Sequence, residues 1–385
     1  MLLMIPGPIE VSPAVLEAYS VPPPGHFSPD FVEAFGASLA MMRGVWLAGP
    51  DSQPFVVAGS GTLAMELALN NVVDPGQRVI VVHTGVFSAR IAEMARRRGA
   101  EVTEVVGEPG EVPPMARVER AFEGAPVAAL IATHVDTSSG VRVDARALAQ
   151  LARGRGALSV FDGVCATAGE RFEMEAWGAD IYLTASQKAI GLPVGLALLV
   201  ASGRALEARD ALKVAPSLSI DWHQWVPVMR AYEAGKPSYF STPATNLIMA
   251  LRVSLGEMTA EGMAARFDRH ERAADAVRAA CRALGLSLLP ASEDVAANTL
   301  SAIRYPEGVG PELIGAIKDR GVVVAGGLYP GLQARTFRVG HMGYATERPD
   351  MILKTVEAIE QALIACGHPA TPGAGVEAAA RALGV

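Results

Sequence analysis

Three places in the 385-residue sequence bring together residue types that do chemistry, and each follows a short apolar run. The first is Gly59-Ser60-Gly61-Thr62, between Pro54-Phe55-Val56-Val57-Ala58 and a helical pattern over Leu63 to Val72. Free amides at a helix N-terminus attract an anion, glycines let the backbone approach it, and Ser60 and Thr62 add hydroxyl donors. An ordinary strand–helix turn with Thr62 as its N-cap reads the same way. The second is Asp162, at the end of Ser159-Val160-Phe161, where a carboxylate against an apolar wall holds a proton partner tightly. The third is Lys188, 26 residues later, in Thr184-Ala185-Ser186-Gln187-Lys188. Apolar neighbours disfavour its ammonium form and leave a neutral, nucleophilic amine. Alone, Asp162 reads as a loop cap and Lys188 as a solvated loop lysine.

Together they ask for one kind of ligand. A phosphate cradle, an amine that can bond a carbonyl, and a carboxylate that keeps a pyridine nitrogen protonated suit a phosphorylated, electron-withdrawing ring. A dinucleotide is the rival, since Gly59-Ser60-Gly61-Thr62-Leu63-Ala64 also fits G-x-G-x-x-G/A. That fingerprint needs an acidic residue about twenty positions on. The next strand, Val79-Ile80-Val81-Val82, runs instead into His83-Thr84-Gly85-Val86-Phe87.

The elements that must position these groups alternate. Strand patterns fall at 54–58, 79–82, 102–106, 127–132, 158–161, 181–184 and 195–200, with helices over 63–72, 89–98 and 145–153 between them. Strands apolar on both faces and separated by helices indicate a mainly parallel, doubly covered sheet whose ligands gather at the C-terminal strand ends. The Trp222–Trp225 region and Gly235-Lys236-Pro237 read as loop, and a long helical stretch from Thr245 reaches towards Leu284. Strands at 286–289, 299–303, 322–324 and 337–339 follow, with helices over 311–318 and 351–365. This gives an N-terminal arm (1–20), a large α/β domain (21–255), a small α+β domain (256–367) and a peripheral tail (368–385) made of a Pro/Gly-rich hinge and a short Ala-rich helix.

Composition narrows the classes. The chain has 33 Lys+Arg against 40 Asp+Glu and no dense basic cluster, which argues against nucleic acid; Arg96-Arg97-Arg98 suits a helix C-terminus. Cys165, Cys281 and Cys366 are too few and scattered for a disulfide framework or a metal site. No secretory signal and no membrane-length apolar run is present, so a cytoplasmic protein is expected.

The motifs Ala58-Gly59-Ser60-Gly61-Thr62, Thr133-His134-Val135-Asp136-Thr137-Ser138-Ser139-Gly140, Asp162-Gly163-Val164 and Ser186-Gln187-Lys188, in this order and spacing, resemble the class V aminotransferases of the fold-type I pyridoxal-phosphate enzymes. Within them the chain is most similar to the alanine–glyoxylate/serine–pyruvate aminotransferase family, from Ile5-Pro6-Gly7-Pro8 to about Cys366. The resemblance implies a large domain with a seven-stranded, mainly parallel sheet and a smaller C-terminal α+β domain. It makes Lys188 the Schiff-base lysine and proton shuttle, and Asp162 the partner of the pyridinium nitrogen. Val164 and Phe87 would cover the two ring faces, and Thr137 would sit near the ring hydroxyl. Ser60, Gly61, Thr62 and Gln187 would hold the phosphate, joined by Tyr239 and Thr242 from a neighbouring subunit, hence a homodimer with shared sites. Arg338 would clamp the substrate carboxylate, and His26 would border the substrate pocket. His134 is read as shaping its loop and Cys165 as a buried structural thiol.

The activity so implied is a ping-pong transamination from a small amino acid, alanine or serine, to glyoxylate or pyruvate. Transaminases of aminophosphonate, ureidoglycine or hydroxykynurenine type remain open. A cysteine desulfurase lacks its nucleophile, since residues 320–345 contain no cysteine. A nicotinamide-dependent oxidoreductase lacks the acidic residue, and a non-catalytic cofactor-binding protein is disfavoured by Lys188, Asp162 and Arg338 together.

Overall fold

The computed structural model describes every residue from Met1 to Val385. All seven expected strands form and join into one sheet, in the order Gln53–Ala58, Leu196–Ala201, Ile181–Ala185, Leu158–Asp162, Val127–Thr133, Arg78–His83, Glu101–Val106. Only Leu196–Ala201 runs antiparallel to its neighbours. The other six therefore end on one edge, which receives Gly59, Thr84, His134, Asp162 and Ser186. The register sets Thr133 beside Asp162, and Asp162 beside Leu183. Val79 to Val82 and the whole of Leu196–Ala201 are buried, as central strands covered on both faces must be.

The helices between strands have their own local causes. Asp144 caps Ala145–Gly154 by accepting from the Ala147 amide at 2.9 Å. Val86–Arg98 ends in the three arginines and stops at Gly99, whose φ of 91° is a left-handed C-cap.

Four expectations change. Trp222–Glu233 is a helix despite Pro227, because Trp222, Trp225, Val228, Met229 and Tyr232 recur on one face and bury it. The long helical stretch is two helices, Thr245–Glu261 and Met263–Ala283, broken at Gly262 with φ 81°. Met258, Met263 and Phe267 pack in the large core, so the large unit runs past residue 255. Residues 286–289 make one isolated bridge, Leu288 to Ile303, and no strand.

The small unit packs helices Glu312–Asp319 and Pro349–Ala365 around Leu300–Arg304, Thr336–Gly340 and Ala325–Gly326, which form a three-stranded sheet. The chain's beginning belongs to it: Leu2–Leu3 pairs in parallel with Val322–Val323, and Met4 lies in its core. No helix is long and apolar enough to cross a membrane.

The last residues are not peripheral. Ala374–Leu383 is a helix packed on Met263–Ala283, with Ala379 fully buried. The buried Glu360 carboxylate accepts from the Gly373 amide and, at 2.8 Å, from the Gly375 amide. Deleting residues 369–385 should lower Tm by at least about 5 °C, because it strips apolar cover and leaves Glu360 unpaired. A Tm unchanged in a thermal melt would restore the picture of a loose tail.

Candidate active site

Lys188 is buried, and burial pulls its ammonium below the ordinary lysine range, with Cys165, Arg338 and Asp162 near enough to act on it. Its Nζ donates to the Pro6 carbonyl. Pro6 is carried by the N-terminal segment, which the Met4 amide ties to Val323 O at 2.9 Å and the Gly340 amide ties to Met4 O at 2.8 Å. A Cβ on Gly7 would lie 2.6 Å from Lys188 Cδ and Nζ, and Gly7 holds φ at 109°. The lysine thus has room only because residue 7 is glycine.

Asp162 is also buried. Burial pushes its carboxyl up to about 7, against a 2.9 Å hydrogen bond from the Val164 amide and the nearby Lys188, which favour the charged form. Asp136 adds a like charge in the same direction as burial.

The cradle forms as the sequence suggests, with one change of role. Ser60, not Thr62, is the N-cap of Gly61–Leu69, its Oγ accepting weakly from the Leu63 amide at 3.5 Å. Ser60 and Thr62 are exposed, so both hydroxyls are open to a ligand. A Cβ on Gly61 would meet Val164 Cγ2 at 2.8 Å, so the glycine lets the helix N-terminus close on Val164. Thr84 Oγ1, Thr133 Oγ1 and Gln187 Oε1 are buried at the same sheet edge without hydrogen-bond partners. Such atoms cost about 1–3 kcal/mol each when unpaired, and their gathering here fits a polar ligand. The donor set therefore matches a phosphorylated ring with a basic nitrogen and a carbonyl.

Phe87 is placed by a residue whose role the sequence did not disclose. Asp136 is buried, and its Oδ2 accepts from the Phe87 amide (3.0 Å), the Ser88 amide (3.1 Å) and Ser88 Oγ (3.2 Å). Its Oδ1 accepts from the Ser138 amide (3.0 Å) and hydroxyl (2.6 Å). A carboxylate at the start of Val86–Arg98 meets the positive helix end, and it pins that end to the loop carrying Thr137. The D-x-S pattern within Asp136-Thr137-Ser138 is the local signal that was available.

Arg338 lies half-buried in Thr336–Gly340. Its Nε donates to Gly326 O at 2.9 Å and its Nη1 to Thr137 O at 3.3 Å. It pairs with no carboxylate of the chain, so it is held by backbone and left with charge to offer. His134 shapes its loop as expected: Nδ1 meets the Tyr182 hydroxyl at 2.8 Å, and burial pushes the ring down to about 3, so it is neutral. Cys165 is buried with its thiol pushed up by burial, 4.0 Å from Thr299 Oγ1, the setting of a structural thiol.

Three expected residues lie elsewhere. Tyr239 (57% exposed) and Thr242 bond each other at 3.4 Å on the surface. His26 joins them, its ring 5.5 Å from Tyr239 and 4.1 Å from Phe27, and so borders their cluster instead of Lys188. Beside them opens a cavity of about 350 Å³ lined by Phe35, Trp225, Tyr232 and Phe240, reaching Ala58 and Leu63. At the end of the strand where a dinucleotide site would need its acidic residue stands His83, bonded to Glu104 of the neighbouring strand at 2.7 Å.

The pattern of the family "Aminotransferase class-V" matches residues 44–329, most of the chain. The chain belongs to the class V aminotransferases. It is 38% identical over 357 residues to alanine–glyoxylate aminotransferase 1 of Saccharomyces cerevisiae, covering 89% of this chain and 91% of that protein. It is 33% identical over 384 residues to L-aspartate–glyoxylate aminotransferase of Paracoccus denitrificans, covering 98% and 94%. The crystal structure of ureidoglycine–glyoxylate aminotransferase from Bacillus subtilis superposes with a TM-score of 0.91 at 25% identity, covering 100% and 98%. This class V aminotransferase is a transaminase of fold type I.

Two outcomes follow from the carboxylates of this aminotransferase. Asp136→Ala should cost about 2–4 kcal/mol in urea unfolding, since it orphans several donors at once; a loss under about 0.5 kcal/mol would show the cap to be unimportant. For Asp162, the folded carboxyl titrates at about 7 against an ordinary 3.8. The folded, ligand-stripped protein therefore keeps a proton that the unfolded chain releases. Its stability is highest below that ordinary value and falls as pH rises towards 7, by at most about 4 kcal/mol. Asp162→Asn should flatten that slope in melts across pH 4–8, and an unchanged slope would assign it to other groups.

Proposed function

We propose that this transaminase binds pyridoxal phosphate on Lys188 and moves the amino group of a small amino acid, alanine first, to glyoxylate. The observation that carries it is the joint placement of a buried, desolvated amine, a buried carboxyl and a helix N-terminal cradle on one sheet edge. When bound, the cofactor supplies a carbonyl that takes up the amino group and a protonated ring that draws electrons from Cα.

The chain's own groups do the rest. The Lys188 amine, neutral more readily than a free lysine, takes the proton from the substrate Cα and returns it across the same face. Asp162 would gain a cationic partner in the ring nitrogen, which would restore its charged form. Val164 and Phe87 would hold the ring between them, Thr137 would stand near its hydroxyl, and Gln187 would join the cradle residues at the phosphate. Arg338 accepts the α-carboxylate in a two-pronged pair and so fixes which Cα–H bond points at Lys188. Pro6 and Gly7 close the pocket over the amine and limit side-chain size.

The three relatives named above take different donors by name, but all name glyoxylate, which supports that acceptor most strongly. Among donors, alanine is favoured over aspartate by the relative of 38% identity named for it, against 33% for the one named for aspartate. Tyr239 and Thr242, exposed, with the half-buried His26 against them, fit a second role: completing the site of a partner subunit in a homodimer. Three free cysteines suit a reducing cytoplasm.

The test is direct. Purified protein with pyridoxal phosphate should turn L-alanine and glyoxylate into pyruvate and glycine, and Lys188→Ala should lose at least about 10³-fold in kcat. Turnover by that variant at the wild-type rate would sink the mechanism. A panel including L-serine, L-aspartate and ureidoglycine ranks the donors, and a ureidoglycine rate far above that of alanine would replace the substrate assignment.

A further inference from the structure

Arg90 has no part in the roles described so far. It stands three residues after Phe87 on Val86–Arg98, a spacing that puts both side chains on one helix face. Its guanidinium carbon lies 4.8 Å from the centroid of the Phe87 ring. Its Nη1 donates to Thr62 Oγ1 at 3.3 Å. The other arginines of that helix are engaged: Arg96 pairs with Glu104, Arg97 with Glu93, and Arg98 donates to the carbonyls of Val73 and Val214. Arg90 is exposed and has no carboxylate within ion-pair distance, although the chain carries more acidic than basic residues.

The cradle it touches is otherwise neutral. Ser60 and Thr62 offer hydroxyls, Gln187 offers an amide, and the N-terminus of Gly61–Leu69 offers free N–H groups worth about half a positive charge. A phosphate monoester carries about −1.5 to −2 near neutral pH. The helix end leaves most of that unmatched.

We propose that Arg90 is an anion-binding residue of the cradle, whose guanidinium, steadied over the Phe87 ring, supplies the formal positive charge for the cofactor's phosphate. With its carbon over the Phe87 ring and Nη1 on Thr62, the guanidinium keeps its remaining N–H donors for phosphate oxygens. One residue then serves both ends of the ligand, the charge at the phosphate and the stacking surface at the ring.

This rests on the pyridoxal phosphate reading, and the experiment separates the two. Full-length protein stripped of ligand is titrated with pyridoxal phosphate and with pyridoxal, which lacks the phosphate, and Kd is read from absorbance and tryptophan quenching. Arg90→Gln should weaken pyridoxal phosphate by about 10- to 100-fold and leave pyridoxal within about twofold. Arg90→Lys keeps the charge and should recover most of the loss, and the salt dependence of Kd should flatten only in the Gln variant. Circular dichroism checks that both variants fold, as an exposed helix position allows. Equal weakening of both ligands would overturn the proposal, because Arg90 would then act only through Phe87. Unchanged binding of both would overturn it as well. A wild-type chain that binds neither ligand would remove the cofactor reading, and this assignment with it.

Discussion

A lysine amine and a carboxyl share one dry pocket, and neither is comfortable in its charged form there. Burial lowers the Lys188 ammonium and raises the Asp162 carboxyl, so the pair cannot simply neutralise each other as a surface salt bridge would. Their attraction is real but weaker than the loss of water on both sides. On the cofactor reading proposed above, a ring offering Lys188 a carbonyl and Asp162 a protonated nitrogen would relieve both at once. Most of the architecture can be understood as keeping these two groups dry, apart and aimed at one ligand.

The parallel sheet does this by ending Asp162 on one strand and starting the turn that carries Lys188 from the next, so strand spacing sets the frame in which that turn places the amine. Around that edge the structure spends buried charge to fix position. Asp136 locks the helix of Phe87 to the loop of Thr137 with both oxygens filled. Glu170, fully buried, accepts from Asn298 Nδ2 at 3.1 Å and Arg142 Nη1 at 3.2 Å, while Arg278 Nη2 reaches Asn298 Oδ1 at 3.1 Å. That cluster seams the large unit to the small one. The N-terminal segment makes a second seam: bonded to strands of the small unit at residues 2–4, it sets the Pro6 carbonyl on Lys188. The small unit thus carries both Arg338 and the strands that hold the Pro6 segment on the amine.

Much of this was legible in the sequence, for identifiable reasons. Strands such as Val79–Val82 are apolar on both faces and bounded by turn residues, so their pattern has one reading. Lys188, Asp162 and the Ser60–Thr62 turn were visible because each follows such a strand. What escaped depended on contacts between distant segments. Pro227 disguised a helix that survives because its apolar face is buried. Asp136 sat within a quoted motif, yet its work is done on residues 87 and 88, almost fifty positions earlier. The Ala-rich composition of the last residues marks a helix, and Ala374–Leu383 is one, but nothing local marks it as docked; its place depends on Glu360 and Leu284. His26 was assigned to the substrate pocket by its position in the N-terminal region, whereas packing sends it to Tyr239.

That last displacement bears on assembly. A tyrosine, a threonine and a histidine cluster on the outside of the chain beside an apolar cavity, with Tyr239 more than half exposed. Large amphipathic side chains placed this way suit an interface whose far side is polar. The cradle at Ser60–Thr62 is exposed as well. In the homodimer proposed above, a two-fold axis would bring the hydroxyl cluster of one chain towards the exposed cradle of the other. Such an arrangement would give those exposed side chains a role that they lack within one chain. It also means that the affinity of the site for its cofactor and the association of two chains would be linked, each strengthening the other by the same factor.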